Sequence, residues 1–498
     1  MEILRTRNIL LLLVFSILAI AVMGYHPGAE DDTVYVTAVY SDLNPALYPH
    51  DADFFKVELQ ASAFDQVMAE FVRVTGIPVA WSELLWQFAS IFLFLLASWL
   101  ILCRLFDDAP ARWAGIAMLS AMLTLPVAGT ALYIVDQYLH PRVIASALIL
   151  LGVERIMAAR RWQAIPLLAV SFLLHPIMGA LGISFCCVLT ITLFEPLQVR
   201  LREWRTRALP ETSTPVAAML PIGWLFQSPS KLWLEAIATR HWFRLYRWTW
   251  YEWLGAIGPL VIFWVVARVA RKQGDTALAQ FSTAIFAYGV FQQIVAMVLL
   301  GPRQLIVLGA LEPMRYLHLV YVFLALIGGA YLGRYVLRRE VWRWAVFLLL
   351  ANGVMFAAQR QLFASTEHIE LPGAASANPW IQAFTWIRGN TPTDAYFALD
   401  PYYMEAPHED YHSFRAIAQR SELADAIKDT AILTKVPELG PRWEREVNAQ
   451  KGWQHFQLAD FERLKREFGV NWVLVSYPQP AGLDCRWHNG LLSVCQVP

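Results

Sequence analysis

Long apolar stretches alternate with short polar ones along most of this chain. The runs at 9–24, 84–103, 113–135, 177–194, 253–267, 278–300, 313–336 and 341–358 read as membrane-crossing helices, since a crossing takes about 20 mostly apolar residues. Two shorter runs, 143–159 and 164–174, read as helices from their flanks. Basic residues fall on alternate connections: Arg5 and Arg7, then Arg155, Arg160 and Arg161, then Arg200, Arg202, Arg205 and Arg207. Arg268, Arg271 and Lys272 follow, and then Arg334, Arg338, Arg339 and Arg343. Cytoplasmic connections carry such an excess, so the N-terminus is expected inside. The segment 25–82, with nine acids against Lys56 and Arg73, is expected outside, and so is the tail beyond Gln359.

One stretch breaks the parity. Between Arg207 and Trp253 only 216–226 is apolar, and eleven helical residues rise about 16 Å, half of a bilayer core of about 30 Å. One irregular crossing there brings the total to about eleven spans. The first run also reads as a signal peptide, with Ala19-Ile20-Ala21 as a small-residue cleavage site. Either reading delivers Tyr25 onward to the outside.

The polar parts are too long to be connectors. The segment 25–82 opens on an acidic turn, Glu30-Asp31-Asp32, and 33–36 begins or extends a helix. The tail, 360–498, is long enough for one domain. A helix is expected at 379–388, with Trp380, Ile381, Phe384 and Ile387 on one face, and a strand at 395–399. Further on come an amphipathic helix at 460–468, an apolar strand at 470–475 and a hairpin around Asn489-Gly490. The expected architecture is an α-helical polytopic membrane domain, 1–359, followed by an α/β soluble domain, 360–498, on the outer side.

Composition agrees: of 498 residues, 57% are hydrophobic and 16% charged, with mean hydropathy +0.42. Soluble proteins carry about 25% charged residues, so a soluble enzyme, a disordered chain and a disulfide-rich secreted module are excluded. Lys plus Arg equals Asp plus Glu at 40 each, which gives no bulk argument for nucleic acid as a partner. Cys103, Cys186 and Cys187 lie in apolar runs and read as fillers. Cys485 and Cys495 flank the hairpin turn in the exported tail, where an oxidising compartment permits a disulfide.

Several residues could carry chemistry, each with a plain alternative. Glu30, Asp31 and Asp32 either bind a cation, keep one carboxyl as a base, or form a solvated acidic turn. His50, Asp51 and Asp53 form a second polar set or ordinary loop polarity. His175-Pro176 interrupts two apolar runs; a histidine at that depth faces a cavity or caps a proline kink. Arg315, after Glu312-Pro313, could fork onto a phosphate, pair with Glu312 or reach lipid headgroups. Arg142, in Asp136-Gln137-Tyr138-Leu139-His140-Pro141-Arg142, is open to the same readings. The run 240–253 interleaves arginines with aromatics and reads as an interfacial helix, able also to touch a lipid phosphate.

Taken together, Glu30-Asp31-Asp32 just past the first span, His175-Pro176, Arg315 and the soluble tail resemble the GT-C superfamily of polytopic membrane glycosyltransferases. The loop elements Tyr25-His26-Pro27 and Leu43-Asn44-Pro45-Ala46-Leu47-Tyr48-Pro49 are similar to a bacterial group of that superfamily. So is the tail element Trp386-Ile387-Arg388-Gly389-Asn390-Thr391-Pro392. The region between Arg207 and Trp253 departs from the pattern, and no donor or acceptor motif stands out. The resemblance implies an integral protein of the inner (cytoplasmic) membrane acting on the cell envelope. It would transfer sugar from a polyprenyl-phosphate donor to a hydroxyl or amine of a glycan, lipid or protein acceptor. One of Asp31, Glu30 and Asp32 would be the base, and Arg315, His175 and Arg142 would hold the donor phosphate. No cofactor is certain; spacing indicates no metal, although a divalent cation could sit at the carboxylates. The rival class is a transporter, flippase or assembly factor for envelope polysaccharide. One clear helix break and no internal repeat argue against it.

Overall fold

A computed structural model describes residues 5–194, 230–238, 240–301 and 305–498. The run 216–226 and Arg200, Arg202, Arg205 and Arg207 lie outside them. Helix α1 (Thr6–Met23) leads to three short helices, α2 (Tyr35–Leu43), α3 (Asp53–Leu59) and α4 (Phe64–Thr75). The bundle then continues with α5 (Val79–Leu105), α6 (Ala109–Ala121), α7 (Pro141–Met157), α8 (Arg161–Leu174) and α9 (Pro176–Leu193). After α10 (Lys231–Ala238) come α11 (Trp250–Lys272), α12 (Thr276–Leu300), α13 (Leu317–Leu332) and α14 (Val341–Leu362). Among the described residues, seven helical stretches are long and apolar enough to cross a membrane. Exposed apolar side chains such as Leu349 and Val354 on α14 and Val261 on α11 give these helices a surface suited to lipid.

Local chemistry sets the helix ends. Pro141 and Pro176 sit at the first helical position, where a missing N–H costs nothing, each after a histidine N-cap. Thr249 and Glu252 form a capping box at the start of α11, with Glu252 accepting the Thr249 N–H at 2.7 Å. Between α8 and α9 the chain turns on His175 alone. A side chain on Gly179 would strike the Phe172 backbone at 2.4 Å, so glycine is what lets the two helices approach there.

Two expectations fail here. The apolar run 113–135 is not one helix: α6 ends at Ala121, and 122–140 is irregular around a small hairpin of β1 (Pro126–Val127) and β2 (Leu132–Tyr133). Pro126 lacks an N–H, and Gly129 takes φ +57° against the Trp248 indole, 2.6 Å from where a Cβ would be. Buried irregular backbone must be satisfied by protein, and it is. Gln87 donates to Asp136 O at 2.8 Å, His318 Nε2 lies 2.8 Å from Ile134 O, and Val135 N–H donates to Leu123 O at 2.7 Å. Nor is 240–253 an interfacial helix. It makes two short 3-10 turns at His241–Phe243 and Leu245–Arg247 before α11 begins. Phe243 is drawn into a cluster with Trp233 and Ile237, and Trp248 is buried at the bundle.

The tail is an α/β domain. It holds α15 (Pro379–Asn390), β3 (Tyr396–Ala398), α16 (Phe414–Ala418), β4 (Ser421–Glu422) and α17 (Asp429–Leu433). Then follow α18 (Gly440–Ala449), α19 (Leu458–Phe468), β5 (Trp472–Ser476), β6 (Asp484–His488) and β7 (Leu492–Gln496). The sheet order is β4-β3-β5-β7-β6, with β3 parallel to both neighbours and the last pairs antiparallel. Cys485 and Cys495 sit opposite each other on β6 and β7 and are disulfide-bonded, Cα atoms 3.8 Å apart.

Segment 25–78 and the tail share one core at one end of the bundle. Val34, Phe54 and Phe55 pack with Ala424, Ile432 and Val447, and Tyr25 and Ala29 bridge to Ile369 and His412. Asp51, from the second polar set, belongs to this joint. It accepts from Arg415 Nε at 2.6 Å, while the guanidinium grips Asp429 at 2.8 and 2.9 Å, all buried. His50 stacks on Tyr396. Nearby, Glu370 Oε1 meets His26 Nδ1 at 2.7 Å and His412 Nε2 at 3.1 Å. Burial alone would raise Glu370, but the His412 charge and both imidazoles bring it to about 2. Burial likewise opposes the charge on His412, and Glu370 raises it to about 9.

Candidate active site

Where the joint layer meets the bundle there is a cavity of about 490 Å³. Glu30, Asp31, Arg142, His175 and Arg315, dispersed over nearly three hundred residues of chain, all line it. Asp32 does not. It is fully buried on the other side of the turn, accepting the Gly28 N–H at 2.8 Å and bonded to Glu83. Burial first, then the Glu83 charge, pushes Asp32 well above the usual carboxylate range. Three adjacent carboxylates on a 3-10 turn cannot all face one way.

One wall of the cavity is acidic. Glu30 holds a left-handed backbone, φ 52°, with its N–H donated to Tyr411 O at 2.9 Å. Both Glu30 and Asp31 contact the Lys428 ammonium, Asp31 at 3.0 Å. Asp31 Oδ2 lies 3.5 Å from His140 Nε2. His140 Nδ1 accepts the Arg142 N–H at 3.0 Å, so the ring proton is on Nε2, facing the carboxylate. Burial alone would raise Asp31; Lys428 first, then His140, hold it well below the usual range.

A second part of the lining is rich in donors. Arg142 Nη2 donates to both oxygens of Asp136, at 2.7 and 2.6 Å. Its Nε and Nη1 are buried without a partner, and the residue is 2% exposed. His175 Nδ1 accepts the Met178 N–H at 3.3 Å, which puts the ring proton on Nε2, also buried and unpartnered. The rings of His140 and His175 stack 5.7 Å apart, so the N-termini of α7 and α9 reach the cavity side by side. Arg315 pairs with Glu312 at 2.6 Å, and Glu312 itself has φ 47°. Arg240 enters the wall while donating to Ile427 O at 2.8 Å.

Strain also concentrates here. Of nine non-glycine residues with positive φ among those described, Glu30, Ala131, Glu312 and Tyr411 line this cavity. Each costs on the order of 1–3 kcal/mol, and such residues cluster where function demands a geometry.

Sequence reasoning missed two contributors. His140 had a signal, because His140-Pro141 repeats the His175-Pro176 pair that drew attention. Lys428 had none: it is an ordinary lysine between Ile427 and Asp429. Among the described residues, no group of three or more His, Cys, Asp and Glu side chains could hold a metal ion.

No family model matches the chain, and no curated protein matches it in sequence. Among solved structures it is similar to the archaeal oligosaccharyltransferase AglB from Archaeoglobus fulgidus, in complex with an inhibitory peptide and a dolichol-phosphate. The likeness covers 94% of this chain and 69% of that one, at 12% identity and a TM-score of 0.36. No residue role is carried across at that level.

Proposed function

We propose that this protein is a membrane glycosyltransferase that moves a sugar from a polyprenyl-phosphate donor to an acceptor at the outer face of the membrane. One observation carries the reading: buried donors of Arg142 and His175 without a protein partner share one cavity with an acid pair. A donor left unmet costs about 1–3 kcal/mol. A phosphate oxygen would satisfy them, aided by two helix N-termini.

Asp31 takes the acceptor proton as the acceptor oxygen or nitrogen bonds to the anomeric carbon and inverts it. The bond from that carbon to the phosphate oxygen breaks, and its electron pair leaves with the lipid phosphate, which gains a negative charge. Arg142 and His175 stabilise that added charge, and Arg315, on the same cavity, adds a further positive charge. Asp31 stays ionised and is a weak base, so proton transfer follows bond formation closely. The side assignment rests on Arg155, Arg268, Arg271 and Lys272, at or beyond the cavity-distal ends of α7 and α11, the distribution of a cytoplasmic face.

The test supplies purified protein in sealed proteoliposomes with radiolabelled polyprenyl-phosphate sugars and a mixture of envelope acceptors. Label should leave the lipid with parent protein and stay with Asp31→Asn. Passage of the intact lipid across the bilayer, with no label transferred, would overturn the reading in favour of a flippase.

A further inference from the structure

Two neighbouring carboxylates in a phosphate-handling site are a usual seat for a divalent cation, and Glu30 with Asp31 invites one. The surrounding residues do not fit it. A Mg²⁺ or Ca²⁺ ion needs six or more oxygens around it. Here the Lys428 ammonium, its side chain 12% exposed, already lies between the two acids. The remaining Asp31 oxygen faces an N–H, that of His140, which repels a cation.

The lysine is held from several directions. The N–H groups of Ile427 and Lys428 donate to Asp425 Oδ1 at 2.7 and 2.6 Å. Asp425 N–H in turn donates to Asp429 Oδ2 at 3.0 Å, on the carboxylate that Arg415 grips. Arg240 caps the Ile427 carbonyl from the bundle.

We infer that Lys428 supplies the fixed positive charge that a divalent cation would otherwise bring to Glu30 and Asp31, so that the acid pair is set without a bound metal. Lys428 is thereby a positioning residue donated by the C-terminal domain to a turn near the start of the chain. Its meaning for catalysis rests on the transfer reading; the charge substitution does not.

The experiment titrates Mn²⁺ into the full-length protein in nanodiscs and follows free Mn²⁺ by electron paramagnetic resonance. Parent protein and Lys428→Arg should show no Mn²⁺ site that depends on Asp31. Lys428→Ala should gain one, at least about tenfold tighter than any binding to the parent, and adding Asp31→Asn should remove it. Lys428→Gln, which keeps the side-chain length, serves should the alanine variant lose its melting transition. An Asp31-dependent Mn²⁺ site in the parent would overturn the inference, as would a folded Lys428→Ala or Lys428→Gln chain that binds none. Parent protein showing the expected pattern but no sugar transfer would overturn the transfer reading alone.

Discussion

The two walls of the cavity are built on opposite plans. On the bundle wall two arginines are neutralised by near neighbours in sequence: Arg142 by Asp136, six residues away, and Arg315 by Glu312, three away. These pairs are buried or nearly so. On the other wall the pairing crosses 398 and 397 residues, from Glu30 and Asp31 to Lys428. The acids there are 37% and 41% exposed. A locally paired, buried wall suits a subsite that must be rigid and dry; a wall closed by a distant lysine suits carboxylates that must meet an incoming acceptor.

The sharpest way to break this contrast is to remove one partner on each side. Asp136→Asn leaves Arg142 charged and buried, a loss of about 3–5 kcal/mol. Glu30→Gln, on the open wall, should cost about 1 kcal/mol or less. Thermal melting in detergent compares the two, and equal shifts would erase the distinction.

Activity should reverse the ranking. Asp31→Asn is expected to cut transfer about 100-fold, roughly 2.7 kcal/mol of barrier, with a melting shift smaller than that of Asp136→Asn. Glu30→Gln should lose less, because its partner Lys428 keeps Asp31. A Glu30 effect exceeding that of Asp31 would exchange their roles.

These differences also explain what could be read from the chain beforehand. Nine of the ten apolar runs became helices because bilayer-length hydropathy is a local property. The tail helices and strands around Trp380, Phe397 and Val473 followed from local periodicity, and the Cys485–Cys495 bond from an Asn-Gly turn between two cysteines. The end of α6 at Ala121 was hidden. Residues such as Leu123, Leu132 and Ile134 stay apolar, and hydropathy does not report backbone shape. Arg142, His175 and Arg315 were visible as charges out of place in apolar surroundings. Lys428 was invisible because nothing local distinguishes it, and Asp32 looked like Asp31 until the turn sent them apart.

Reducing the Cys485–Cys495 bond tests the tail wall from a distance. Closing a loop of that size contributes about 2–3 kcal/mol, so dithiothreitol should lower a melting transition that Asp136→Asn does not touch. Mass spectrometry of non-reduced protein should find no free thiol at either position.

The joint should also respond to pH. His412 is raised from 6.5 to about 9 in the folded protein, so its contribution is complete below pH 6.5 and lost as pH rises through about 9. Glu409, pushed by burial up to about 8, adds to the same alkaline loss. Melting temperature should therefore fall between pH 6.5 and 9, and His412→Gln should flatten the curve. A rise over that window would contradict the His26–Glu370–His412 arrangement.

The span from Glu30 to Lys428 also has a meaning in time. Chains are made at about 5–20 residues per second, so the acidic turn exists for roughly 20–80 s before its lysine is synthesised. During that wait Glu30 and Asp31 have only water and His140 for company, and their mutual repulsion favours an open turn. The ion pair cannot guide early membrane insertion; it can only register that the tail domain has docked. Any truncation upstream of Lys428 would leave an inserted bundle whose acid pair was never closed, and slowed translation would prolong the wait. In that sense the lysine reports that the tail domain has reached the turn.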